Sequence, residues 1–137
     1  MRSIIQTIHV LLVILLISAC ATGTIKLPEK YIMDNQLELV SHISRYHFMG
    51  WDRIDKQSFI LQTSPGDYYL IVLQIPADDI LFSDSISISS SGSRVQAGLD
   101  RVTLLGQTIK HPPYTIERIY RIKGREQVQT IKAQIRE

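Results

Sequence analysis

The chain has 137 residues, of which 45% are hydrophobic and 20% charged, a composition that is ordinary for a globular protein. Its net charge of +2 comes without a run of like charges, which excludes a basic nucleic-acid tail, so we expect no nucleic-acid partner. The single Cys excludes an internal disulfide, and a domain of this length can fold without one.

Residues 1–19 have the pattern of a signal peptide. The uninterrupted apolar run Val10–Ile17 is far shorter than the ~20 residues that cross a hydrocarbon core and is typical of a signal h-region. An aliphatic residue and two small ones come before Cys20, an order that resembles the bacterial lipobox. We predict cleavage before Cys20 and lipidation of its thiol, with an ordinary secretory signal or an uncleaved anchor as the alternative. The peptidase would recognise Ile17, Ser18 and Ala19.

Residues 20–30 are predicted to be a lipidated tether, because Gly23 and Pro28 interrupt any regular period. Ala21 follows the lipidated position and favours the outer membrane, facing the periplasm, in a Gram-negative host. The expected partners are the membrane, through Cys20, and an envelope protein or cell-wall component. We expect no cofactor.

Residues 31–124 are predicted to form one small β-rich domain. The near-helical spacing of Leu37, Val40 and Ile43 predicts a short helix or turn over 31–43, although alternation there also fits a strand. The next three predicted strands are separated by turns, the strongest of which contains Pro65 and Gly66. These strands are Phe48–Ile54, Ser58–Thr63 and Tyr68–Ile75, the last of them apolar enough to be covered on both faces.

The second half of the domain follows the same pattern. One helical turn or loop is predicted at Asp78–Leu81, and Ser90–Ser93 is predicted to be a flexible loop. Further strands are predicted at Ser85–Ser89, Leu99–Leu105 and Tyr114–Ile122, although the last also fits a helix face. The polar tail, 125–137, has Val128, Ile131 and Ile135 at helical spacing, which indicates a short helix or a frayed end.

The predicted fold class is therefore mainly β, or α+β. Five or six short strands at roughly ten-residue intervals favour a small antiparallel curled sheet or open barrel.

Four segments between Trp51 and Ile122 carry a resemblance. The first, Trp51–Ile60, is an aromatic residue followed by a hydrophobic-Asp turn and a strand, and the second, Tyr69–Leu73, is a central apolar strand. The third, Gly98–Val102, is a Gly-hydrophobic-Asp element, and the fourth, Tyr114–Ile122, is a final strand. Together they resemble a family of small proteobacterial lipoproteins known only as a domain of unknown function. Members commonly carry Cys where this chain has residues near Ala77, Gln96 and Tyr114, so the chain departs from that pattern. The resemblance implies no activity and no catalytic residue.

Candidate metal ligands are few. His42 and His47 are five residues apart, which separates them on either a strand or a helix, and His111 precedes two prolines. The loose acidic group lacks the alternating oxygen ligands of a calcium loop and is more simply a solvated loop. That group consists of Asp78, Asp79 and Asp84.

Catalytic and binding candidates are also weak. The many serines of residues 83–93 have no nucleophile elbow around them, and a wet strand face explains them better. Asp67 and Asp100 lie beside turns and are expected to orient backbone. Five aromatic residues could line a ligand groove or pack in the core, namely Trp51, Tyr68, Tyr69, Tyr114 and Tyr120.

Three functions compete. The preferred one is a non-enzymatic envelope module that binds a protein or wall component through one face of its sheet. The second is an inhibitor or immunity-type lipoprotein, which requires a protruding loop such as Ser83–Ser93. The third, a small envelope hydrolase, requires a polar pocket that joins Asp or His to Ser.

Overall fold

Nine strands, two short 3-10 helices and one α-helix make up residues 25–137, the part of the chain that the computed structural model describes. The 3-10 helices span Glu29–Tyr31 and Asp78–Phe82, and the α-helix, α1, spans Gly124–Arg136. The strands are β1 (Glu38–Val40), β2 (His42–Ile43), β3 (Gly50–Arg53), β4 (Ser58–Ser64), β5 (Asp67–Leu73), β6 (Ser85–Ile88), β7 (Val95–Gln96), β8 (Arg101–Leu105) and β9 (Tyr114–Lys123).

The main sheet is antiparallel throughout and has the order β3-β4-β5-β9-β8-β6. β1 pairs with β9 on the same side as β8 but further along the strand, and β2 pairs with β7 in a small separate ribbon. The main sheet curls into a half-barrel. The predicted mainly β fold, with a curled sheet of five to six strands, is confirmed.

The centre of the sheet is covered on both faces. Leu70 and Val72 of β5 point into a cluster beneath α1, whereas Tyr69, Ile71 and Leu73 point into the hollow of the half-barrel. Successive side chains of a strand point to opposite faces, so a strand buried on both sides must be apolar at nearly every position. The apolar run Tyr68–Ile75 predicts this double burial, and β5 confirms it.

Gly124 marks an abrupt change from β9 to α1. Its φ of +80° is a conformation that a residue with a Cβ adopts only with strain, and it lets the helix fold straight back over the sheet. The Gln127 side chain accepts a hydrogen bond from the Lys123 backbone N–H at 2.7 Å and so closes the first turn. Val128, Ile131 and Ile135 are buried against the sheet, which confirms a helix in the tail. Within residues 25–137, no helix combines the length and apolar character needed to cross a membrane.

The helix or turn predicted over 31–43 is wrong for most of that segment. The 3-10 helix ends at Tyr31, a turn follows, and Glu38–Val40 becomes β1. Ile119–Arg121 of β9 offers a row of backbone groups that β1 pairs with, so the ladder overrides the local helical spacing. Leu37 is buried on the helix side of the sheet and Ile43 in the hollow, so the chain crosses from one face to the other here.

The segment before β1 is part of the folded domain from Leu27 onward. Leu27 and Tyr31 are buried in the cluster beneath α1. Asp55, in the β3–β4 turn, accepts hydrogen bonds from the Lys30 ammonium at 2.7 Å and the Tyr31 hydroxyl at 2.6 Å. Residues 27–30, the last four of the predicted tether, are therefore held in the folded domain.

Candidate functional site

A groove runs between the β3 edge of the sheet and the first two turns of α1. Its main cavity has a volume of about 330 Å³ and continues past the β4–β5 turn at Pro65 and Gly66. The cavity is lined by Gly50, Trp51, Asp52, Ile60, Gln62, Tyr68, Arg125, Val128 and Gln129.

The register of the sheet decides which side chains face the groove. Gly50 pairs with Gln62, and Gln62 in turn pairs with Tyr68, so these positions share the face beneath α1. Asp52 and Ile60 form the next such row. Gly50 leaves an opening in the wall, since nothing lies within 4 Å of where its Cβ would be.

The groove has a cationic end and an ion-paired end. The Arg125 Nε donates to the Tyr68 hydroxyl at 3.3 Å, and this hydrogen bond raises the pKa of the guanidinium. One turn of helix further along, Gln129 lines the same wall. Lys132 forms an ion pair with Asp52 across the gap between helix and strand. The groove therefore presents a guanidinium, amides and a phenol above an apolar floor.

The five aromatic residues singled out in the sequence do not gather in one groove. Tyr69 and Tyr120 are buried in the two clusters on opposite faces of the sheet, and Tyr114 packs against the hollow. Trp51 packs edge-to-face on the Phe59 ring, with centroids 5.8 Å apart. Of the five, Tyr68 faces the groove, and Trp51 lies at its rim with its ring turned to the opposite face. Tyr69 and Tyr120 are core residues, and Tyr114 is half-buried.

Arg125 and Gln129 were missed by sequence reasoning because the groove joins segments more than fifty residues apart. A signal for them exists. Once the buried stripe of Val128, Ile131 and Ile135 is accepted as helical, positions 125 and 129 lie one turn apart on the flank of that stripe.

The histidines and the acidic group lie apart. His42 is on β2, with its Nδ1 3.0 Å from the Ser41 hydroxyl, and His47 lies in the loop before β3. Asp78 pairs with Lys56 at 2.7 Å, and Asp79 pairs with His111. Within the described range, residues 25–137, no three His, Cys, Asp or Glu side chains come close enough to hold a metal ion.

The serine-rich segment, residues 83–93, combines a strand with a turn. β6 takes up four of its residues, and the buried Ser83 hydroxyl donates to the Ser85 and Leu105 carbonyl oxygens. The predicted flexible loop is a tight turn closed by two backbone hydrogen bonds between Ser91 and Arg94. What protrudes from Ser83–Ser93 is therefore only this turn.

Asp–Ser pairs occur at three turns, each in a local structural role. Asp100 accepts the Ser89 hydroxyl at 2.8 Å and the Gln96 backbone N–H at 2.7 Å, so its predicted role in orienting backbone is confirmed. Asp67 accepts from the Ser64 hydroxyl across the β4–β5 turn. Asp55 accepts from the Ser58 hydroxyl at 2.8 Å, within the β3–β4 turn.

A partly buried polar network fixes the segment before β1 to β9. The Tyr120 hydroxyl accepts from the Met33 backbone N–H and donates to Asp34 at 3.0 Å. Arg118 donates to both Asp34 oxygens, at 3.0 and 3.1 Å. Burial raises the pKa of Tyr120, so this hydroxyl stays protonated and keeps its role as a donor.

The predicted lipidation site lies outside the described residues. Cys20, together with Ile17, Ser18 and Ala19, precedes residue 25, where the described structure begins.

Comparison with known proteins gives a family without an assigned activity. No curated protein and no solved structure matches the chain. The match to a family of unknown function extends over residues 1–137, well beyond the four segments that carried the resemblance in the sequence. The chain therefore belongs to the family of unknown function DUF6491.

Proposed function

We propose that this protein is a lipid-anchored, non-enzymatic binding module of the bacterial cell envelope, and that it binds its partner in the groove between β3 and α1. The observation that carries the binding role is the convergence of Arg125, Gln129, Gln62 and Tyr68 on one cavity. The lipobox-like sequence before Cys20 supports the anchor.

The chemistry of the groove favours a polar ligand that carries an acidic group. A guanidinium presents several N–H donors in a planar fork that matches a carboxylate or phosphate. The amides of Gln62 and Gln129 can donate and accept, as hydroxyls and peptide groups require. Ile60 and Val128 supply the apolar floor on which such a ligand would rest.

The face of the central sheet is not available to a partner. β4 and β5 are buried on both sides, beneath α1 and in the hollow of the half-barrel. The sequence predicts that a partner binds one face of the sheet. Because both faces are covered, we place the binding site at the β3 rim.

The experiment immobilises the purified protein and measures binding by surface plasmon resonance, because the Trp51 ring packs on Phe59 on the opposite face of the sheet and does not report on the groove. Muropeptides from digested cell wall and detergent-solubilised envelope proteins are titrated separately against the purified protein. We expect a saturable binding response with one of the two. Arg125→Ala should weaken it severalfold, since it removes the guanidinium that would pair with the acidic group of the ligand.

Gly50→Phe tests the location of the site. Its backbone has no positive φ and its Cβ meets no atom, so the phenyl ring fills the groove without disturbing the sheet. We expect this variant to abolish the titration. Arg101→Ala removes an exposed guanidinium from β8, remote from the groove, and is the matched control. The proposal would be contradicted if the wild type and the three variants bound with equal affinity. It would also be contradicted if neither muropeptides nor envelope proteins gave a saturable response.

A further inference from the structure

Five of the eleven large apolar side chains that are exposed in residues 25–137 lie at one end of the domain, which we call the proximal end. This end holds the β3–β4 turn, the second 3-10 helix, the loop between β8 and β9, and the last turn of α1. Phe82 is 79% exposed and Ile109 is 69% exposed. Three further apolar side chains of the same end are exposed, namely Ile75, Leu81 and Leu105.

The segments that carry these side chains are tied to one another. The Ser83 hydroxyl donates to the Leu105 carbonyl at 3.0 Å, and the Gln107 amide donates to the Asp79 carbonyl at 3.2 Å. The Arg53 guanidinium of β3 donates to the Leu81 carbonyl at 2.6 Å. These hydrogen bonds therefore hold the segments that carry the exposed apolar residues together as one surface. We call the surface formed by Ile75, Leu81, Phe82, Leu105 and Ile109 the platform.

The chain enters the domain at the same end. Leu27 is buried, and Lys30 reaches both Asp55 in the β3–β4 turn and the Ile135 carbonyl near the end of α1. Seven residue steps separate Cys20 from Leu27. A fully extended chain advances at most about 3.6 Å per residue, so this connection cannot exceed about 25 Å. A lipid on Cys20 would keep the proximal end within that distance of the bilayer.

Charge at the proximal end is mixed, since the exposed Asp84 and Glu137 lie there beside basic side chains. Asp55 and Asp78 form ion pairs with Lys30 and Lys56, and Asp79 contacts the His111 imidazole. Lys26 and Lys110 add exposed positive charge near the chain start and in the β8–β9 loop. Basic side chains beside exposed apolar ones are typical of protein surfaces that settle into a headgroup layer.

We propose that the proximal end sits on the lipid bilayer, with Phe82 and Ile109 inserted among the headgroups. This inference rests on the proposed function, because the lipid on Cys20 supplies the closeness. It also orients the groove. Arg125 lies at the start of α1 and the membrane contact at its end near Arg136, so the helix places Arg125 about 17 Å further along its axis from the contact.

The experiment uses the full lipidated protein, purified in detergent, labelled with an environment-sensitive fluorophore and reconstituted into phosphatidylethanolamine–phosphatidylglycerol vesicles. Since the lipid occupies the thiol of the only native Cys, an introduced Cys is the sole labelling site. Phe82→Cys and Ile109→Cys report on the platform. Leu99→Cys is the control for Ile109→Cys, because both side chains are 69% exposed. Leu99 lies before the start of β8, at the other end of that strand from Leu105 of the proximal end. Met49→Cys, at 50% exposure, lies at the opposite end of β3.

We expect blue-shifted emission and quenching by spin-labelled lipid at positions 82 and 109, with water-like emission and little quenching at 99 and 49. Water-like emission at all four positions, in protein that floats with the vesicles, would overturn the membrane seating and leave the anchor intact. Burial of positions 82 and 109 only after envelope proteins are added would assign the platform to a protein partner and also overturn it. Protein that fails to float and has no lipid by mass spectrometry would overturn the proposed function and this inference together.

Discussion

Replacing Asp55 by Asn alters the junction that fastens the start of the domain to the sheet. One carboxylate oxygen accepts from Lys30 and Tyr31, and the other accepts from the Gln57 backbone N–H at 3.0 Å and the Ser58 hydroxyl. An Asn can keep the second pair with its carbonyl oxygen, but its NH₂ group then faces the first pair. Asp55→Asn should therefore lose two charge-assisted hydrogen bonds.

The cost follows from those two bonds. A hydrogen bond to a charged group contributes about 1.5–3 kcal/mol, and the Lys30 contact falls at or below the low end because that ammonium is half exposed. We expect the variant to lose about 2–3 kcal/mol of unfolding free energy at pH 7. With an m-value of about 1.5–2 kcal/mol/M, the urea midpoint should fall by about 1–2 M.

The pH dependence gives an independent check of the same contacts. Burial raises the pKa of Asp55, but the hydrogen bonds from Lys30, Tyr31, Gln57 and Ser58 outweigh it and hold the pKa below its usual value. A lowered folded-state pKa means that the stabilisation is complete above the unfolded value, about 3.9, and is lost as the pH falls through the folded value. The gap between wild type and variant should therefore be constant above about pH 5 and close in acid.

Asp84→Asn, at an exposed position before β6, is the control and should leave the urea midpoint unchanged at pH 7. Equal midpoints for wild type and Asp55→Asn would refute the role assigned to Asp55. So would a gap that stays constant down to pH 2.

The remaining predictions also concern stability and are measured by urea unfolding. Ile131→Ala opens a cavity beneath α1 and should cost about 2–4 kcal/mol, whereas Gln134→Ala on the exposed side of the helix should cost almost nothing; equal effects would contradict the packing of α1. Tyr120→Phe removes a hydroxyl with three partners and should cost about 1–3 kcal/mol, and an unchanged midpoint would show that the network contributes nothing. Gly124→Ala should cost about 1–2 kcal/mol because of its positive φ. Gly50→Ala, in open extended backbone, should be neutral or stabilising by up to about 1 kcal/mol, and a larger loss there than at Gly124 would reverse the backbone argument.

Periodicity and turn chemistry predicted most of the sheet. The apolar run of β5 and the Pro65–Gly66 turn are local signals, and both appear where they were expected. The choice of a strand over a helix for β9 was also right, because alternate positions of a strand share a face, as Tyr120 and Ile122 do beneath α1.

The failures share a physical cause. β1 exists because β9 offers backbone partners eighty residues away, and no local pattern contains that information. The short strand β7 depends in the same way on β2. The groove combines β3 with α1, so its residues could be assigned only after the helix was placed on the sheet.

The groove and the proximal end lie at opposite ends of α1. Their proposed roles, in binding a partner of the cell envelope and in contacting the bilayer, both assume that a lipid on Cys20 holds the chain at a membrane. Intact-mass spectrometry of the protein purified from membranes of its native host tests that assumption most directly. The account predicts a polypeptide that begins at Cys20 and carries diacylglycerol with a further acyl chain. A chain that begins at Met1 with an unmodified Cys20 would contradict it.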